Sequence, residues 1–114
     1  MALQIKRVYA PVEKNDGFRV LVDRLWPRGM KKETAAIDLW LKEVAPSTSL
    51  RKWFGHETAK WSDFQKRYRQ ELQDNTKAVD TLRQLLSKET VTLLYGAKDE
   101  QHNQAVVLQD FLNE

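Results

Sequence analysis

Cysteine is absent from the 114 residues. That excludes disulfides, thiolate nucleophiles, iron–sulfur clusters and thiolate zinc sites together. Histidine occurs only twice, as His56 and His102, so an all-histidine metal centre is excluded too. A metal site would have to lean on carboxylates, and no His-Glu-x-x-His or similarly spaced set is present. No metal or other cofactor is therefore expected. Glycine and proline are scarce, at 4 and 3 residues, which leaves no low-complexity linker to divide the chain. Aliphatic runs extend only a few residues, far short of a membrane span. The start, Met1-Ala2-Leu3-Gln4-Ile5-Lys6-Arg7, lacks the basic-then-apolar order of a signal peptide, so a cytoplasmic protein with no membrane partner is expected.

What is present is ordinary globular composition, 41% hydrophobic and 31% charged, which places the chain among folded proteins. A length of 114 residues fits one domain that buries roughly two-thirds of its unfolded surface. A net charge of +3 and an isoelectric point near 9.2 favour an anionic partner. Acidic residues are interspersed throughout, and no block of five or six like charges occurs, so the basic balance is mild.

The stretch Arg19-Val20-Leu21-Val22-Asp23-Arg24-Leu25-Trp26-Pro27-Arg28-Gly29 organises the rest. Three aliphatic residues, two of them β-branched, read as a strand buried on both faces, expected over Phe18 to Leu25. In open α/β sheets ligands bind beyond the carboxyl ends of strands, which places the polar residues of this stretch at a candidate site. Leu3 to Tyr9 reads as an earlier strand, followed by the turn signal Asn15-Asp16-Gly17. The intervening segment is too short for a helical crossover, so these two strands form a hairpin or are not direct neighbours.

Ala35 to Val44 is expected to be mostly helical. Thr48 to Phe54 is a short helix with Ser47 as N-cap and Gly55 as stop. Over Thr58 to Leu72, Trp61, Phe64, Tyr68 and Leu72 recur at helical spacing, and Ala78, Val79, Leu82, Leu85 and Leu86 form a second stripe. Thr90 to Tyr95 is a late strand, and Gln101 to Leu112 a closing helix. Strands early and late with helices between predict an α/β fold: a small, mainly parallel sheet flanked by helices with a helical middle segment. A helical cap on an α+β architecture is the alternative.

Trp40, Ala45-Pro46-Ser47, Leu50 to Phe54, His56, Phe64, Arg67-Tyr68 and Leu94-Tyr95-Gly96-Ala97-Lys98-Asp99, taken with the Arg19–Gly29 stretch, resemble the YeaO-like branch of the bacterial domain-of-unknown-function 488 family. The resemblance covers nearly the whole chain and implies a fold without implying a reaction. Longer relatives in that family resemble a rhodanese-like layout, in which a late strand runs into a catalytic loop and then a helix. The chain has this layout without the cysteine, which excludes sulfur transfer and thiol-phosphatase chemistry.

The candidate residues divide by chemistry. Asp23 suits a general base, His56 an acid or base active near neutral pH, and Tyr95 a hydrogen-bonding hydroxyl. Arg24, Arg28, Arg51 and Lys98 suit anion binding, Trp26 stacking on a ring, and Asn103 a ligand hydrogen bond. For each a structural alternative exists: Asp23 paired with Arg24, Trp26 plugging the core, His56 bonding a carbonyl near Gly55, Asp99 capping the last helix. Arg67 is expected to pair with Glu71. The leading expectation is a cleft for a phosphorylated or carboxylated small molecule, with acid–base or hydrolytic chemistry conceivable there. A nucleic-acid-binding or regulatory module that adds Lys31 and Lys32 is the alternative, although no helix-turn-helix pattern supports it. Monomer and homodimer are both compatible with the sequence.

Overall fold

The computed structural model describes residues 2–114. Four strands form one all-parallel sheet: β1 (Leu3–Arg7), β2 (Phe18–Leu21), β3 (Leu39–Trp40) and β4 (Val91–Tyr95), in the order β1-β4-β2-β3. The helices are α1 (Lys32–Ala35), α2 (Thr48–Phe54), α3 (Trp61–Asp74), α4 (Thr76–Leu86) and α5 (Gln104–Leu112). The α/β class and the parallel sheet agree with the sequence reading. β1 and β2 are not neighbours: β4 lies between them, which resolves the choice left by their short connection.

The sheet's two faces are unequal. Val20 and Val22, with Val91, Leu93 and Tyr95, face the main core, where they meet Phe54, Phe64, Tyr68, Leu82 and Leu108 from the helices. Leu21 and Leu94 point to the other face and, with Val8, make a small cluster closed by Trp26, Met30, Ile37 and Trp40. This alternation follows the two-residue period of a strand, and burial on both sides explains why β2 and β4 read as continuous apolar runs.

The thinner face also buries charge. Arg19, 3% exposed, donates to the carbonyls of Ala36 and Ala35 at 3.0 and 3.2 Å and pairs with Asp16, itself 3% exposed. Lys6 adds a second ion pair to Asp16 at 3.0 Å. Burial by itself would raise the Asp16 pKa. The amide of Glu13 and the cations Lys6 and Arg19 outweigh it and hold the carboxyl below its ordinary value. Buried charge survives here because every member has a partner.

Three local expectations need correction. Ala35 to Val44 is not mostly helical: α1 ends at Ala35, Leu39–Trp40 pair with Val20 and Leu21, and a single 3-10 turn spans Lys42–Val44. An open ladder beside β2 outweighs the weak helical preference of this segment. β2 stops at Leu21 rather than near Leu25, because after Val22 donates to the Leu94 carbonyl at 3.0 Å the chain leaves the ladder. Arg67 does not pair with Glu71. Its guanidinium lies over the Trp53 ring, 4.1 Å from the centroid, while Glu71 accepts the amide and hydroxyl of Ser47 at 2.8 and 2.5 Å.

The helix α2 forms as its caps dictate. Ser47 Oγ accepts the Leu50 amide at 3.2 Å, and Gly55 closes the helix at φ 53°. Glu71 then fastens that N-cap to α3. The rings of Phe54 and Phe64 stack with centroids 4.3 Å apart and complete the α2–α3 contact. No helix among the described residues is long and apolar enough to cross a membrane.

Candidate functional site

A cleft of about 270 Å³ opens at the carboxyl ends of β2 and β4. Its parallel strands bring the segment after Leu21 beside the segment after Tyr95. The lining comes from Asp23 to Arg28 after β2, Ala45-Pro46 before α2, Arg51, Phe54 and His56 on and after α2, Phe64 of α3, Gly96-Ala97 after β4, and His102 to Gln104 at the start of α5. Tyr9, from the loop after β1, donates its hydroxyl to the Arg28 carbonyl at 2.9 Å and steadies the rim.

Asp23 stands at the junction. One carboxylate oxygen accepts the Gly96 amide at 2.7 Å, and the other accepts the side-chain amide of Gln104. Its own carbonyl accepts the indole N–H of Trp40 at 2.8 Å. Burial raises the Asp23 pKa above the ordinary carboxylate value. The bonds from Gly96 and Gln104 and the nearby charges of His56 and Arg51 oppose that rise only in part. Asp23 is thus not paired with Arg24, contrary to the structural alternative read from the sequence. Arg24 instead donates through Nε to the Pro46 carbonyl at 3.0 Å and through a terminal nitrogen to the Ala45 carbonyl at 3.1 Å, fixing the loop that leads into α2.

The other sequence candidates separate cleanly. Trp26 lines the cleft but donates to the Met30 carbonyl at 2.8 Å and meets Trp40 edge-on at 5.5 Å, so most of its ring supports the loop. Arg28 and Arg51 line the cleft, are exposed, and make no side-chain hydrogen bond or ion pair among the described residues. His56 lines it from a left-handed backbone conformation, φ 59°, immediately after Gly55. Asn103 lines it and caps α5 by accepting the Val106 amide at 3.2 Å.

Two candidates lie outside the cleft. Tyr95, 3% exposed, belongs to the main core, where burial and then Glu100 push its hydroxyl pKa up. Lys98 is exposed and takes no part in the lining. In the loop after β4, the amides of Gly96, Gln101 and His102 are taken by carboxylates of the chain itself. Asp99 accepts the Gln101 and His102 amides at 2.9 and 3.0 Å, so it braces the turn before α5 while Asn103 supplies the cap.

Sequence reasoning missed His102 and Gln104. His102 lines the cleft, its Nδ1 is 2.9 Å from Asp99 Oδ2, and its ring stands perpendicular to Trp61 with centroids 5.2 Å apart. The spacing Asp99-x-x-His102 was the available signal, a three-residue separation that a turn brings into contact. No comparable signal marked Gln104, whose partner is 81 residues away. Among the described residues no cluster of three or more His, Asp or Glu is gathered to hold a metal.

Comparison with known proteins agrees with this architecture's spread over the whole chain. No solved structure matches. The chain is 47% identical to the uncharacterised protein YeaO of Escherichia coli over 112 residues, covering 98% of this chain and 97% of that one. It is 38% identical to the uncharacterised protein Rv3073c of Mycobacterium tuberculosis over 111 residues, covering 97% and 93% of the two chains. The family model described as the inactive DUF488-N3 subclade matches residues 2–114, and it is to this family that the chain belongs.

Proposed function

We propose that the cleft binds a small phosphorylated or carboxylated anion and that the protein acts by recognition rather than by turnover. The observation that carries this reading is the pair of unpartnered guanidiniums, Arg28 and Arg51, facing one concavity. Arginine's planar fork matches carboxylate and phosphate oxygens two at a time, and neither fork is used among the described residues. Arg24, held by its bonds to the Pro46 and Ala45 carbonyls, contributes charge and rigidity to the cleft. The position beyond the carboxyl ends of parallel strands supports the same reading.

Recognition is favoured over catalysis on three grounds. The chain has no cysteine, both oxygens of Asp23 already accept hydrogen bonds, and the family to which it belongs is described as inactive. A nucleic-acid surface would instead spread cations over an exposed stripe and show strong salt dependence.

A thermal-shift series against inorganic phosphate, alkyl phosphates, dicarboxylates and short oligonucleotides tests the reading. A ligand at 100 times its dissociation constant adds about 2.7 kcal/mol of stability, a shift of several degrees in a domain of this size. We expect small anions to stabilise the parent protein, and Arg51→Ala and Arg28→Ala to lose most of that shift. Stabilisation by oligonucleotides alone, or by nothing in the series, overturns it.

A further inference from the structure

The cleft also holds hydrogen-bond acceptors. Each Asp23 oxygen takes one donor from the protein, Gly96 or Gln104, whereas a carboxylate oxygen accepts about two. Beside it His102 commits Nδ1 to Asp99, and Trp61 holds the ring edge-on. No group among the described residues bonds its Nε2. With the Nδ1 proton directed at the Asp99 carboxylate, the neutral ring presents Nε2 as an acceptor. Asp23 and His102 therefore offer acceptors in the same cleft in which Arg28 and Arg51 offer donors. A bare anion would meet repulsion at Asp23, so the occupant must carry hydrogen-bond donors besides its anionic group. Those donors are neutral: Asp23 is the one carboxylate in a lining that holds three arginines, which disfavours an ammonium group.

We infer that the ligand of this cleft is a hydroxylated anion, a phosphorylated or carboxylated polyol, whose hydroxyls donate to Asp23 and His102 while its anionic group lies on Arg28 and Arg51. The inference rests on the anion-binding reading above and specifies the class of anion. The volume of about 270 Å³ suits a short polyol, and Phe54 and Phe64 give its C–H face an apolar floor. Asp99 is a positioning residue here: it fixes the tautomer and the direction of His102 and touches no ligand.

Titration calorimetry with three matched probes separates the outcomes: glycerol 1-phosphate, propyl phosphate and 3-aminopropyl phosphate. We expect the parent protein to bind glycerol 1-phosphate at least tenfold tighter than propyl phosphate, with the amino probe no better than propyl phosphate. Asp23→Asn and His102→Phe should each cut that preference to about threefold or less, and Asp99→Asn should do so through His102. Equal affinity for the glycerol and propyl probes overturns the inference while leaving the anion-binding reading intact, and this comparison needs no variant. Tightest binding of the amino probe overturns it in favour of a zwitterion. A preference undiminished in folded Asp23→Asn and His102→Phe overturns the assignment of these two residues. Failure of all three probes overturns both readings.

Discussion

The carboxylate of Asp23 accepts the backbone N–H of Gly96 at 2.7 Å, across 73 residues of chain. This bond ties the segment leaving β2 to the segment leaving β4, both of which line the cleft. A Cβ added at Gly96 would stand 3.0 Å from the same carboxylate oxygen, closer than a relaxed contact. Gly96→Ala should therefore displace Asp23 with little backbone strain. A loss of about 1 kcal/mol by denaturant unfolding is expected, the usual net worth of one such hydrogen bond. Parent-like stability with an unshifted Gly96 amide resonance on titrating Asp23 would show that the bond does not hold the strands together.

Gly17 is a harder constraint. Its φ is 66°, and a Cβ there would lie 2.3 Å from the Thr90 carbonyl oxygen. The chain passes this close because Phe18 donates to that same carbonyl at 2.8 Å as β2 begins. Gly17→Ala adds backbone strain to a clash with backbone, so about 3 kcal/mol or more should be lost. Chemical denaturation that finds less than about 1 kcal/mol contradicts this account of the turn.

Asp16 and Asp23 should oppose one another in acid. Asp16 has a folded pKa below its ordinary 3.8, so its contribution is present above that value and lost as pH falls below it. For Asp23 the folded pKa is raised, so the folded state binds the proton more tightly and stability declines as pH rises from 3.8 through the folded value. Melting curves from pH 2.5 to 6 should show Asp16→Asn most damaging at the upper end and converging on the parent in acid. Asp23→Asn should fare progressively better against the parent as pH rises. Parallel curves for either variant would refute the corresponding shift.

Arg24 holds two carbonyls with one planar group, which a point charge cannot reproduce. Arg24→Ala is expected to cost about 2 kcal/mol, and Arg24→Lys to recover less than half of it. Full recovery in the lysine variant, read by thermal unfolding, would mean that charge alone matters at this position.

His56 occupies a left-handed conformation that costs a non-glycine residue about 1 kcal/mol. His56→Gly should leave stability unchanged or raise it by up to about 1 kcal/mol, while weakening whatever anion the cleft binds. A marked loss of stability would show instead that the imidazole supports the fold.

The helices α2 and α5 and the strands β1 and β4 were legible because their signals are local. Ser47 and Gly55 bracket α2, and the apolar run Val91 to Tyr95, bounded by Gly96, needs no distant partner to be recognised. The strand at Leu39–Trp40 was not legible, since only the β2 edge makes those residues a strand. For the same reason Arg67 and Glu71, correctly spaced for an i,i+4 pair, turned to Trp53 and Ser47, which no helical rule brings near. Of the candidate residues, Asp23, Arg28 and Asn103 follow two strands of a mainly parallel sheet and could be placed near one another, whereas Arg51 and His56 are delivered from α2 by the folded chain. Tyr95 could not be sorted from them, because one residue of register decides whether a strand-end side chain faces cleft or core.

By itself, then, the sequence determined chemistry and class: no thiol, a mild cationic excess, an α/β layout and a polar segment ending a buried strand. Those properties follow from composition and from periods of two and 3.6 residues, which survive without knowledge of contacts. Only the tertiary structure decided which charges are spent and which are free. Arg24 and Arg28, four residues apart and identical in kind, differ because the Ala45-Pro46 carbonyls come within reach of one, while no acceptor among the described residues comes within reach of the other. Hydrogen bonding saturates over about 3 Å, so the fate of a side chain is settled by partners that the folded chain delivers from tens of residues away.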